Sequence, residues 1–243
     1  MMRTSFGEIQ GILFDKDGTL ILYDESWGPV NREAARIAAA GQEHLELRLL
    51  DAAGMDPVSG HTRADSLLAA GNAAEIAAGF VAAGSPLPVA ELTVLLDALF
   101  VQATEYAVPV TDLRILFSRL KARGLKLGIA SSDNERSIRS TLQRLGIDSH
   151  VDFIAGYDSG YGGKPEPGMV LGFCDATGLE PGCVAVVGDN NHDLIMAANA
   201  GAGLKIGVLT GTGTRQTLEP HADFCLDCIA SIEALLLQEQ TGA

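Results

Sequence analysis

The stretch IQGILFDKDGTL, residues 9–20, decides the fold that this sequence predicts. Residues 9–14 form a short apolar run, which predicts a buried β-strand. The strand delivers two carboxylates, Asp15 and Asp17, at its C-terminal end. Two carboxylates at this spacing can share a metal ion and divide the roles of nucleophile and general acid/base. Asp and Gly also form ordinary surface turns, so the motif needs support from the rest of the chain.

Similar short runs recur along the chain, and helical patterns lie between them. The runs occupy residues 125–130, 152–155, 183–187, 206–209 and 224–226. The helical patterns occupy residues 112–123, 134–145, 167–177, 193–200 and 229–238. Strands that alternate with helices predict an α/β fold, a Rossmann-like three-layer core around a mainly parallel sheet. Ligands of such sheets bind beyond the carboxyl ends of the strands, where the polar residues of this sequence are placed.

Residues 23–108 interrupt the alternation of strands and helices. The segment is rich in Ala, Leu and Glu, shows helical periodicity and contains no convincing strand. Its predicted helices are residues 30–40, 45–53, 67–70, 73–83 and 89–103, with a further short one at 104–107. We therefore expect a helical cap domain, residues 23–108, inserted into a catalytic core formed by residues 1–22 and 109–243.

Three further polar clusters carry residue types that suit phosphate chemistry. Ser131 and Ser132 offer a hydroxyl and N–H groups to a phosphate oxygen, although serines also cap helices. Lys164, held between glycine and proline in GGKPEP, can neutralise a phosphate, although a loop lysine is usually solvated. Asp189 and Asp193 lie four residues apart at a strand–helix junction and suit a hard cation, although Asp193 can also cap the next helix.

The charge balance limits the classes of partner. The chain carries 17 Lys and Arg against 31 Asp and Glu, a net charge of −14. Such a surface repels nucleic-acid backbones and anionic membranes, so we expect neither as a partner. There is no apolar leader and no uninterrupted apolar run of about 18 residues, so we expect a cytoplasmic protein. A phosphate site must be locally positive, and in the helical segment Arg63 is our candidate for substrate contact.

The motifs occur in the order D-x-D-G-T, hydrophobic–Ser, Lys-Pro and G-D-x-x-x-D, each at the predicted edge of the sheet. In this order the sequence resembles the haloacid dehalogenase-like superfamily, and within it the phosphoglycolate-phosphatase-like hydrolases with a helical C1-type cap. The resemblance covers residues 9–22 and 110–236. It implies a Mg²⁺-dependent phosphoric monoester hydrolase that acts on a small phosphomonoester, phosphoglycolate-like or a sugar phosphate, through an aspartyl-phosphate intermediate.

The resemblance also implies a role for each carboxylate. Asp15 corresponds to the aspartyl nucleophile and Asp17 to the general acid/base. Mg²⁺ would be held by the carboxylates of Asp15 and Asp189 and by the backbone carbonyl of Asp17. Asp193 would lie beside these ligands and orient a metal-bound water or Lys164.

The remaining motif residues are implied to hold the phosphoryl group. Ser131 and Lys164 would bind it directly, and the backbone N–H groups near Asp17 and Ser132 would assist. The sequence sets no role for Lys16 between the two aspartates. His192 is unusual in its loop; facing solvent and touching the substrate are both open, and we favour the former.

Two other functions are compatible with parts of this pattern. A phosphosugar mutase of the same superfamily keeps both aspartates, so these motifs do not distinguish it from a phosphatase. Dehalogenases and phosphonatases replace the second aspartate, and Asp17 speaks against both. A catalytically silent binding or regulatory member should lack the nucleophile, the lysine or a metal carboxylate, and here none is missing. The sequence fixes neither the natural substrate nor the oligomeric state.

Overall fold

The computed structural model describes residues 8–238 and contains one six-stranded sheet in which every strand pair is parallel. The strand order is β3-β2-β1-β4-β5-β6. The strands are β1 Gly11–Phe14, β2 Lys126–Ala130, β3 Phe153–Ala155, β4 Val184–Gly188, β5 Leu204–Val208 and β6 Phe224–Leu226. Each strand overlaps an apolar run of the sequence, and the predicted α/β fold with a parallel sheet is confirmed.

The position of β1 in the middle of the sheet explains its continuous apolar sequence. Leu13 lies beside Gly128 of β2 and Val186 of β4. Ile12 and Phe14 pack into one apolar cluster and Leu13 into another, because successive side chains of a strand point to opposite faces. A strand that is covered on both faces needs apolar residues at every position.

Helices cover both faces of the sheet and give the three layers. The helices of this part are α6 Leu113–Ala122, α7 Glu135–Leu145, α8 Gly168–Thr177, α9 Asn191–Ala200, α10 Arg215–Leu218 and α11 Ile232–Gln238. The cluster on one face includes side chains from α6, α7 and α11, and the cluster on the other includes side chains from α8 and α9. A 3₁₀ turn, Ile229–Ser231, precedes α11, where the sequence predicted a single helix from residue 229.

Between β1 and α6 the chain forms five helices with an apolar cluster of their own, which we call the helical block. They are α1 Tyr23–Ala39, α2 Glu43–Ala53, α3 Leu67–Ala70, α4 Ala73–Ala82 and α5 Val89–Ala103, and a 3₁₀ turn, Thr104–Tyr106, follows. Among these residues no strand is assigned, as the sequence predicted. The domain boundaries themselves stay a prediction.

The first helix of the block begins earlier than its sequence indicates. The sequence predicts a helix from residue 30, and Pro29 before it lacks the N–H group that a helix interior needs. In the structure α1 runs through Pro29 and begins at Tyr23. Tyr23 and Trp27 are buried in the apolar cluster of the block, and this burial outweighs the local preference.

The helical block lies over the carboxyl edge of the sheet. Its two connections run side by side, since Leu22 N donates to Val108 O at 2.9 Å and Val110 N donates to Leu20 O at 3.0 Å. None of the helices in the described part of the chain is both long and apolar enough to cross a lipid bilayer.

Candidate active site

The polar residues that follow β1, β2 and β4 meet at one edge of the sheet. The N–H of Asp15 donates to Val187 O at 2.8 Å, so the chain stays paired to β4 up to this aspartate. In the same way Ser131 N donates to Ala155 O at 3.0 Å. Because β1 lies between β2 and β4, Asp15 is placed between the serine loop and Asp189.

Lys164 reaches this edge from the loop between β3 and α8. Its Nζ donates to Asp15 Oδ1 and to Asp193 Oδ1, each at 2.5 Å, and its side chain is only 3% exposed. Burial lowers the pKa of Lys164, but the carboxylates of Asp15 and Asp193 more than offset this, so its pKa lies above the ordinary value. The lysine is therefore a fixed positive charge at this edge of the sheet.

Three buried carboxylates surround that single ammonium group. Ligand oxygens of Asp15, Asp189 and Asp193 all lie within 4.8 Å of one another. Burial raises the pKa of Asp15 to about 7, opposed by Lys164 and assisted by Asp193 and Asp17. Burial, and then the charges of Asp15 and Asp193, hold the pKa of Asp189 well above its usual range. Oxygen ligands with excess negative charge suit Mg²⁺, so the residues present fit this ion.

Asp17 belongs to a different set of contacts. Its Oδ1 accepts hydrogen bonds from Trp27 Nε1 at 2.6 Å and from Lys16 Nζ at 2.8 Å. Lys16 also pairs with Asp133 Oδ2 at 3.0 Å, and its Nζ lies 5.3 Å from the Trp27 ring centroid. The carboxylate is thus held at one oxygen, on the side of the site that faces the helical block.

The serine loop after β2 is fixed by its own backbone. Ser131 is 1% exposed, and its Oγ accepts a hydrogen bond from Asp133 N at 3.1 Å. Asn134 caps α7 by accepting from Ser137 N at 2.8 Å. Ser131 and Ser132 both line the cavity that contains Asp15 and Lys164, so the structure brings these predicted residues together.

A cavity with an empty volume of about 560 Å³, which includes its opening to solvent, lies between the sheet edge and the helical block. Its sheet side carries the acidic residues and Lys164. Its other side is formed by α1, α3, α4 and α5, with residues such as Trp27, Ala70, Ile76 and Phe100. The acidic edge of the sheet and the helical block therefore face each other across one cavity.

A family model for haloacid dehalogenase-like hydrolases matches residues 9–201, most of the chain. The chain belongs to this hydrolase family. The resemblance seen in the motifs is thereby confirmed, and so is the prediction of an enzyme.

Individual relatives agree with this assignment. The probable phosphatase IndB of Dickeya dadantii is 36% identical over 122 residues, which cover 48% of this chain and 53% of IndB. A phosphoglycolate phosphatase of Rhodospirillum rubrum is 27% identical over 206 residues, 79% of this chain and 76% of the relative. The crystal structure of a predicted phosphoglycolate phosphatase from Haemophilus somnus superposes with a TM-score of 0.71 at 19% identity, over 94% of this chain and 98% of that one, and so shares the fold.

In this hydrolase the loop after β5 contacts Asp189 and holds its carboxylate, a role that the sequence did not indicate. Thr212 N donates to Asp189 Oδ2 at 2.8 Å, and Thr210 Oγ1 donates to Gly18 O at 2.6 Å. Gly18 has φ +81°, and a Cβ there would lie 2.6 Å from the Asp189 carboxylate. The sequence TGTG reads as an ordinary turn, and only the strand order places it against Asp189.

The structure places Arg63 and His192 differently from what the sequence led us to expect. Arg63 Nη1 pairs with Asp51 Oδ1 at 3.1 Å inside the helical block, and Arg63 is not among the residues that line the cavity. The geometry therefore gives no support to substrate contact by Arg63. His192 lines the cavity instead of facing solvent, and its Nδ1 is buried without a hydrogen-bond partner. It lies in the first turn of α9, and this turn is directed toward the cavity.

Proposed function

We propose that this hydrolase is a Mg²⁺-dependent phosphatase that cleaves a small phosphomonoester, phosphoglycolate-like or a sugar phosphate, through an aspartyl-phosphate intermediate. The observation that carries the proposal is the Lys164 ammonium group held between Asp15 and Asp193 beside Asp189. A carboxylate nucleophile requires a cation that offsets its repulsion from a phosphate, and this lysine lies 2.5 Å from Asp15. The phosphatase names of the relatives support the same reaction.

In the first step a carboxylate oxygen of Asp15 forms a bond to phosphorus while the bond from phosphorus to the ester oxygen breaks. Asp17 donates a proton to that departing oxygen. In the second step Asp17 accepts a proton from a water molecule, which attacks the aspartyl phosphate and releases inorganic phosphate. Lys164 and Ser131 hold the phosphoryl oxygens in both steps. Phosphate and alcohol are the products, and Asp15 and Asp17 return to their starting forms.

We propose that Mg²⁺ is held by the carboxylates of Asp15 and Asp189 and by the backbone carbonyl of Asp17. When bound, the ion supplies positive charge that offsets the crowding of carboxylates and phosphate. Asp193 keeps Lys164 in place, since it accepts from Lys164 Nζ at 2.5 Å while its other oxygen accepts from Asn190 N at 3.2 Å. The ammonium group is therefore positioned from both sides.

We also propose the division into a catalytic core, residues 1–22 and 109–243, and a cap, residues 23–108. The separate apolar clusters of the sheet region and of the helical block support it. In this arrangement the core supplies the reacting groups and the cap closes the cavity. Specificity then depends on the cap residues that line it.

The proposal predicts release of inorganic phosphate from p-nitrophenyl phosphate in the presence of Mg²⁺, abolished by EDTA. Asp15→Asn should lower kcat by about 1,000-fold or more, because the amide is a poor nucleophile. The exposed Asp175→Asn serves as the matched control and should keep full activity. Undiminished turnover by purified Asp15→Asn would rule out Asp15 as the nucleophile. A mutase would instead form an isomer of a sugar phosphate without releasing phosphate.

A further inference from the structure

The two sides of the cavity differ in charge. The sheet side presents Asp15, Asp17 and Asp189 together with Lys164. Of the described residues from the helical block that line the cavity, none carries a charged side chain. That wall is formed mainly by apolar groups, among them Trp27, Leu68, Ala70, Ile76 and Phe100, with Asn31 as a neutral polar member.

The cations near the cavity are already paired with protein carboxylates. Lys164 is bound between Asp15 and Asp193, where the phosphoryl group must also bind. Lys16 does not line the cavity, is 2% exposed, and pairs with Asp17 and Asp133. In the helical block, Arg63 and Arg36 form ion pairs with Asp51 and Glu33, Arg32 donates to Pro57 O, and none of these arginines lines the cavity. The part of a substrate that lies against the helical block therefore meets no unpaired ammonium or guanidinium group among the described lining residues.

Two side chains that line the cavity each have a buried polar atom without a hydrogen-bond partner. These atoms are the Nδ2 of Asn190 and the Nδ1 of His192. Asn190 is only 5% exposed, and its Oδ1 is already occupied as the acceptor from His192 N. Buried polar atoms without partners are unfavourable, so a substrate whose hydroxyl group reaches them would gain affinity.

We propose that the alcohol part of the substrate is uncharged, hydroxyl-bearing and partly apolar, and that esters with a carboxylate or a second phosphate on this part are poor substrates. The inference rests on the proposed phosphatase function and narrows it. An anionic group against the helical block would be removed from water without a counter-ion and close to several carboxylates, which is strongly unfavourable. Of the two substrate types that the motifs imply, a neutral sugar- or polyol-type monophosphate fits this wall and phosphoglycolate does not.

The test compares pairs of esters in which one member carries a carboxylate on the alcohol part, with the full chain, saturating Mg²⁺ and phosphate release as readout. 2-Hydroxyethyl phosphate and 2-phosphoglycolate form one pair, and phenyl phosphate and 4-carboxyphenyl phosphate form the other. The assay is run at one pH, about 8, for all four esters. We expect kcat/KM to be about tenfold or more higher for the neutral member of each pair.

A charge introduced into the wall should cancel the preference. Ala70 is half-buried at the end of α3, and Ala70→Arg should raise kcat/KM for 2-phosphoglycolate about tenfold relative to 2-hydroxyethyl phosphate. Ala70→Gln, of similar length without the charge, should keep the preference for the neutral ester. If Ala70→Arg does not fold, Ala69→Arg, at the neighbouring position, is used instead.

The outcomes separate the two proposals. Equal or higher kcat/KM for the charged esters in the unmodified protein overturns the inference and leaves the phosphatase proposal intact. Absence of phosphate release from all four esters and from p-nitrophenyl phosphate overturns the phosphatase proposal, and the inference falls with it.

Discussion

Lys16 lies next to three side chains that line the cavity, those of Asp17, Trp27 and Asp133. It is buried between Asp17 and Asp133, and its ammonium group faces the Trp27 ring. Burial lowers the pKa of Lys16, but the two carboxylates raise it more, so the lysine stays charged. The sequence left the role of this residue open, because the partners Trp27 and Asp133 come from distant parts of the chain. The contacts indicate that Lys16 neutralises the buried Asp133 and the partly exposed Asp17, and that it holds Asp17 in place.

Replacement of Lys16 by Met should therefore destabilise the fold. Removing one partner from a buried ion pair leaves the carboxylates uncompensated and costs about 3–5 kcal/mol. Lys121→Met is the matched control, since Lys121 pairs with Asp152 at 2.6 Å nearer the surface and should contribute about 1 kcal/mol or less. Denaturant unfolding of both variants measures the difference. Equal losses would show that the Lys16 pairs contribute no more than a surface pair.

The Asp189 carboxylate is expected to lower the stability of the metal-free protein while it provides a ligand for the metal ion. An unfolded aspartate has a pKa of about 4, whereas burial raises the pKa of Asp15 to about 7 and that of Asp189 in the same direction. Stability from the protonated forms is complete below about pH 4 and is lost as the pH rises through the folded pKa values. Metal-free Asp189→Asn should then melt above the unmodified protein at about pH 8, with a smaller gap at about pH 5.

The melting temperatures of the unmodified protein and of Asp189→Asn also test the proposed metal site. Mg²⁺ should raise the melting temperature of the unmodified protein at about pH 8 but not that of Asp189→Asn, since binding to the folded state stabilises it. The Asn side chain can still accept the hydrogen bond from Thr212 N, so loss of that contact does not explain the difference. A Mg²⁺-dependent increase that persists in Asp189→Asn would remove this carboxylate from the proposed ligands.

At the scale of elements, the sequence predicted what is local and missed what depends on strand order. The apolar runs located all six strands, and the periodicity located the helices except the short α10, because burial and pattern are coupled within each element. The start of α1 was wrong by seven residues, since burial of Tyr23 and Trp27 outweighs the break at Pro29. The contact between the loop after β5 and Asp189 was not predictable, because nothing in TGTG indicates which strand lies beside it.

That loop provides a test at the element scale. A Cβ at Gly211 would overlap the Asp189 carboxylate, so Gly211→Ala should displace the carboxylate from its position. A displacement of about 1 Å in such a site lowers kcat/KM by about 100-fold. Gly182→Ala is the matched control, because a Cβ at Gly182 meets no atom within 4 Å. Full activity of Gly211→Ala would show that the loop adjusts without moving Asp189.

At the scale of the whole molecule, the helical block and the sheet region are joined by hydrogen bonds between their side chains. Asp97 of α5 accepts from Tyr157 Oη at 2.9 Å and from Asn134 Nδ2 at 3.2 Å. Asp65 accepts from Asn191 Nδ2 at 2.9 Å. These bonds hold the neutral wall of the block against the edge that carries the reacting groups. A cavity that is assembled from two parts exists only in the fraction of molecules in which the parts are together.

Removal of the Asp97 contacts should therefore weaken substrate binding more than it affects the chemical step. Asp97→Ala deletes the acceptor of two hydrogen bonds, and KM is expected to rise about tenfold because the assembled fraction falls. Asp65→Ala deletes one bond and should raise KM less. Asp51→Ala, whose ion pair with Arg63 lies within the block, should leave KM unchanged. Steady-state kinetics with p-nitrophenyl phosphate ranks the three variants, and an unchanged KM in a folded Asp97→Ala protein would show that these contacts do not control the cavity.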